Sequence, residues 1–131
     1  MRFAMAGALA LSGLAGCMGE VPPSGAALYD GHCASCHGPT GAGDGSEAAT
    51  VPHPPANLRG IAAAHDGVFP ADAVMAKIYG HRGQAFTTAM PEFGPLMEGP
   101  TVPWTTAEGQ VIETPATLVA LTRYVAQLQD D

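Results

Sequence analysis

The sequence predicts an all-α fold of three to four short helices joined by long Gly- and Pro-rich segments. Three observations carry that prediction. Charged residues make up 13% of the 131-residue chain, and 17 Gly and 12 Pro punctuate it too often for long elements or a sheet-rich fold. Apolar residues recur at helical spacing in stretches flanked by capping residues. A core of this size is marginal by itself, so a bound group is expected to fill and staple it.

The chain opens with Met1-Arg2 and an apolar run from Phe3 to Leu14. That length suits a secretory signal and falls short of the roughly 20 residues a membrane span requires. The run ends in Leu14-Ala15-Gly16-Cys17, which resembles the lipobox of bacterial lipoprotein precursors. The resemblance implies that residues 1–16 are a signal peptide, that cleavage leaves Cys17 as a lipidated N-terminus, and that the protein faces the periplasm on a bacterial membrane. Residues 17–23 then form a tether reaching at most about 25 Å, and residues 24–131 form the domain. Loss of the signal leaves Arg59, Lys77, Arg82 and Arg123 against twelve acidic residues, a formal charge of −8 in place of −7. Such a balance disfavours nucleic acid and anionic surfaces as electrostatic partners.

Ser24 is an N-cap for a first helix that starts at Gly25 and runs through Leu28 and Tyr29 into a cysteine motif. Residues 38–57 read as a long loop, with Pro52, Pro54 and Pro55 close together. A second helix lies between Pro70 and Gly80: Asp72 suits its N-terminal dipole, and Ala71, Val74, Met75 and Ile78 make one apolar face, read as core packing. Residues 101–105 and 110–113 are expected to form a small hairpin across Ala107-Glu108-Gly109. Trp104 on it is expected to cover apolar surface, with packing beside a cofactor as the alternative. The last helix is predicted to begin with Thr114 as N-cap and Pro115 at its first position, and to bury Leu118, Leu121, Val125 and Leu128 against the first helix near Gly25.

The chemistry sits in "CASCHG", Cys33 to Gly38. An exported protein meets an oxidising space, where two thiols do not persist unless something claims them. A redox dithiol would follow a strand in a βαβ unit, whereas Ala26 to Tyr29 reads as helix. A zinc site needs a second ligand pair at finger-like spacing, and His32, His53, His65 and His81 are single and irregularly placed. Cysteines three apart on a helical turn can each form a thioether to a porphyrin vinyl group, and the next residue, His37, then projects its imidazole at the iron.

A second axial ligand is expected from Met90, whose backbone Pro91 holds extended. Met97 competes for the role from the same loop region, and His53 and His81 stay open as ligands. With Met90-Pro91 in view, the chain resembles class I (mono-haem, His/Met) c-type cytochromes. Gly25, Tyr29, Cys33, Cys36 and His37 match that family's N-terminal G-x3-[FY]-x3-C-x2-C-H pattern, and Leu121 and Tyr124 match its C-terminal L-x2-[YF] pattern.

The resemblance implies one covalently attached haem c in a small cytochrome c fold, with iron held by His37 and Met90. It also implies a loop proline carbonyl, here Pro54 or Pro55, accepting the Nδ1–H of His37. The expected function is one-electron transfer, without enzymatic activity, between a redox donor and acceptor of the membrane or periplasm, the protein being a monomer. The alternatives are a haem-bearing subunit of a larger oxidoreductase, or a peroxidase or gas sensor if Met90 leaves the iron open.

Overall fold

The first and last helices cross, and everything else hangs on that crossing. The computed structural model describes residues 22–80 and 90–130. Its helices are α1 (Gly25–His32), α2 (Ala34–His37), α3 (Ala71–Tyr79) and α4 (Ala116–Gln127), with short 3-10 turns at Leu58–Gly60, Ala63–His65 and Gly94–Leu96. Strands β1 (Thr101–Thr105) and β2 (Val111–Pro115) pair antiparallel, Trp104 opposite Ile112 and Thr105 opposite Val111. The expected hairpin is therefore present, and it makes the fold helical with one two-stranded ribbon rather than purely α. Cys17, His81 and Arg82 lie outside the described residues.

Ser24 caps α1 as expected, its Oγ accepting from Ala27 N–H at 3.2 Å. A Cβ on Gly25 would fall 2.2 Å from the Ala120 carbonyl oxygen and 2.9 Å from Tyr124 Cβ, so only glycine lets α1 come this close to α4. The two helices bury Leu28 and Tyr29 against Leu118, Leu121 and Val125, each large apolar side chain contributing about 1.5–3 kcal/mol on full burial. The rings of Tyr29 and Tyr124 sit tilted with centroids 5.3 Å apart. Helix α3 adds Met75 and Ile78 to the same core, and Val74 packs against it. Gly80 ends α3, its N–H bonded to the Ala76 carbonyl at 3.1 Å.

The start of α4 differs from the expectation. Thr114 and Pro115 belong to β2, α4 begins at Ala116, and Thr114 Oγ1 reaches back to the Ile112 carbonyl at 3.5 Å rather than capping the helix. Pairing of Thr114 with Val102 extends the strand into the residues that carry the capping signal. Ala116 N–H instead bonds to the Pro100 carbonyl at 2.9 Å.

Two further ties close the C-terminus. The Gln129 amide accepts from Ala62 N–H at 2.8 Å and donates to the carbonyls of Leu58 and Val125 at 2.8 and 2.9 Å. Beside it, the exposed Arg59 guanidinium pairs with Asp130, Nε to Oδ1 at 2.8 Å. Thr122 is buried within α4, and its hydroxyl has no hydrogen-bond partner among the described residues.

Candidate cofactor site

The attachment turn is built by α1 running into α2. Cys33 closes α1 with its N–H bonded to the Tyr29 carbonyl at 2.8 Å, and its own carbonyl accepts from Cys36 N–H at 3.2 Å and His37 N–H at 2.8 Å. One helical turn therefore carries both thiols and the imidazole. A four-residue helix leaves its C-terminal carbonyls without intrahelical partners, and the following loop supplies them in order. Ser35, Cys36, His37 and Gly38 carbonyls accept from the N–H groups of Glu47 (2.8 Å), Gly45 (3.1 Å), Gly43 (2.8 Å) and Gly41 (3.2 Å). The glycine-rich composition follows from this close packing: a Cβ on Gly45 would stand 2.2 Å from the Ser35 carbonyl oxygen.

Tyr29 reinforces the turn from the core side, its buried hydroxyl donating to the Gly38 carbonyl at 2.7 Å. Burial first, then the neighbouring Cys33, Tyr124 and Asp44, push this phenol up to about 12, so it stays a donor. Sequence reading placed Tyr29 on the first helix but did not assign its hydroxyl this task.

His37 Nδ1 lies 2.9 Å from the Ala56 carbonyl oxygen. A carbonyl can only accept, so Nδ1 carries the proton and Nε2 is left with its lone pair for a metal. The partner is Ala56, not Pro54 or Pro55. Leu58 N–H bonds to the Gly41 carbonyl at 2.7 Å, and in the segment so pinned the carbonyl just past the prolines is the one that reaches His37.

A cleft of about 270 Å³ gathers three separated segments. Gly31 to Cys33 and Ser35 to His37 form one wall. Val51, His53 and Pro55 form the second, and Met90, Pro91 and Phe93 the third. The third wall is tied to α3 by Phe93 N–H on the Ile78 carbonyl at 3.0 Å, and Phe93 faces His32 with ring centroids 6.1 Å apart. Met97 takes a different place: it is 0% exposed in the core, and its carbonyl accepts from Thr117 Oγ1 at 3.0 Å. His53 is exposed on the cleft wall, and His65 lies outside the cleft with Nδ1 2.8 Å from the Ile61 carbonyl. Trp104 is half-buried against the core and donates Nε1–H to Asp72 Oδ1 at 2.6 Å, a pairing the sequence did not suggest.

Both cleft cysteines are free of disulfide. Burial, with a smaller contribution from Cys36, pushes the Cys33 thiol up to about 11. A reactive dithiol needs its attacking thiol shifted the other way. Two thiols on one helical turn, beside an imidazole with a free nitrogen and facing Val51, Pro55 and Phe93 across the cleft, fit a covalently held haem.

That chemistry places the chain among the covalent haem proteins. Its lineage is more specific: the family model for cytochrome c matches residues 23–129, and the chain belongs to the cytochrome c family. It accordingly carries covalently attached haem c and is a haem-based electron carrier working with redox partners. Neither a curated protein nor a solved structure gives a match.

Proposed function

We propose that this protein is a one-electron carrier with a single haem c attached through Cys33 and Cys36 and ligated axially by His37 and Met90. We further propose that lipid on Cys17 tethers it to a bacterial membrane on the periplasmic side. When bound, the haem supplies a one-electron Fe(III)/Fe(II) couple. The observation carrying the reading is that Met90 and His37 line one cleft together with both cysteines, while Met97 is committed to the core.

In this reading the protein's side chains position the couple and perform no acid–base step. His37 is oriented by Ala56 and buttressed by the loop bonded to its turn. The Met90 thioether favours the reduced state relative to a second imidazole. Iron held by both residues would offer no coordination position to a substrate, and Val51, Pro55, Pro91 and Phe93 of the cleft would limit solvent reorganisation on electron transfer.

Ferric and ferrous absorption spectra of wild type and Met90→Ala test the assignment. Wild type is expected to be low-spin and slow to take up CO, and Met90→Ala to become high-spin and bind CO readily. An unchanged Met90→Ala spectrum, or immediate CO uptake by wild type, overturns the reading. Cys17→Ser tests the tether separately: it is expected to move the holoprotein from the membrane to the soluble fraction, and continued membrane retention refutes the lipid anchor.

A further inference from the structure

We propose that the groove between the N-terminal end of α3 and the hairpin docks a protein partner through a cationic segment bearing apolar side chains. The groove has a volume of about 630 Å³, more than twice that of the haem cleft, and shares no lining residue with it. Val68, Phe69, Pro70 and Trp104 give it apolar walls. It is held open from within. The Asp72 carboxylate accepts from Trp104 Nε1–H through one oxygen and from Ala107 N–H at 2.7 Å through the other, fixing the hairpin against α3.

The groove continues onto exposed apolar surface. Val68 in its wall is 68% exposed, and Ile112, which pairs with Trp104 and shares its face of the ribbon, is 47% exposed. Single exposed aliphatic residues are ordinary, but two flanking the exposed rim of an apolar-walled groove extend it as a contact surface. Charge selects the occupant. Glu108 lines the groove, and Asp66 adjoins Val68 two residues before it. Among the described residues no Lys or Arg lines it. A second copy of this acidic chain, or an anionic lipid surface, would meet like charge. A segment with Lys or Arg beside apolar side chains meets complementary charge and finds a preformed apolar slot. Because the groove and the haem cleft share no lining residue, docking and electron exchange can use different residues.

The test is amide and indole NMR of the haem-loaded ferrous protein, titrated with a short Lys/Leu peptide and with its Glu/Leu counterpart. The Lys/Leu peptide is expected to shift the signals of Val68, Thr105, Ala107 and the Trp104 indole, and to bind more weakly as salt rises. The Glu/Leu peptide is expected to leave them unmoved. Val68→Ser and Ile112→Ser, both at exposed positions, should each weaken binding about fivefold with an unchanged haem spectrum, and Glu108→Lys should abolish it. Equal binding of both peptides overturns the proposal, as do shifts confined to the haem cleft, no binding, or concentration-dependent self-association through these residues. The haem spectrum and CO test report on axial ligation independently, so failure here is distinguishable from failure of the carrier reading.

Discussion

Placing a methyl group on Gly25 tests the helix crossing that organises the domain. The added Cβ would stand 2.2 Å from the Ala120 carbonyl oxygen and 2.8 Å from its carbon. Restoring a van der Waals separation of about 3.5 Å requires α1 and α4 to part by about 1.3 Å, and backbone cannot rotate away as a side chain could. Overpacking of this kind costs about 1–3 kcal/mol, and parting the helices also loosens Tyr29 and Leu121. Helix propensity acts in the opposite direction, an Ala for Gly exchange gaining at most about 1 kcal/mol. We expect Gly25→Ala to lose about 2 kcal/mol, a fall in Tm of about 10 °C, and Gly25→Val to lose more. Thermal unfolding of the haem-loaded protein by circular dichroism reads this directly. Gly60, whose added Cβ meets nothing within 4 Å, is the control: Gly60→Ala should be neutral or stabilising by about 0.5 kcal/mol. A Gly25→Ala Tm equal to or above wild type would refute the close approach.

Three other outcomes follow from the same structure. Tyr29 is pushed up to about 12 from 10.0 by burial and its neighbours, so the stabilisation it contributes is full below pH 10 and lost as pH rises through about 12. Tyr29→Phe should flatten the stability–pH profile in that window by no more than about 2.7 kcal/mol, and an unchanged slope would show that Tyr29 titrates normally. Gln129→Ala removes three backbone hydrogen bonds and should cost about 1–2 kcal/mol, whereas Arg59→Ala breaks an exposed ion pair and should cost under about 1 kcal/mol; urea midpoints in the reverse order would contradict the assignment. Thr122→Val replaces a buried hydroxyl that lacks a partner with a methyl of similar shape and should stabilise by about 1 kcal/mol. A loss instead would mean that the hydroxyl is satisfied.

Much of the frame was legible because local chemistry and tertiary contact agree there. Ser24 caps where a serine should, Gly25 marks the close approach, and the apolar spacing of α3 and α4 names the faces that pack. The hairpin was visible in two strand-like runs around Glu108-Gly109. What the sequence hid were contacts between residues far apart along the chain. A backbone carbonyl carries no residue signature, so nothing distinguished Ala56 from Pro54 or Pro55 as the partner of His37. The Thr114-Pro115 capping signal lost to strand pairing, because β2 gains a partner in Val102 that a single-strand reading cannot see. Asp72 looked like an ordinary first-turn acid, and only the folded hairpin brings Trp104 and Ala107 onto its carboxylate.

The hydrogen bond from Ala116 to Pro100 means that the ribbon leaves and rejoins the main path at a single doorway. Its distal tip can therefore be lengthened between Glu108 and Gly109, past the Ala107 N–H that Asp72 holds, without shifting the register of α4 on α1. That makes the tip a natural insertion point for a reporter peptide or an affinity tag, carried on a redox-active domain whose colour reports that the graft has folded.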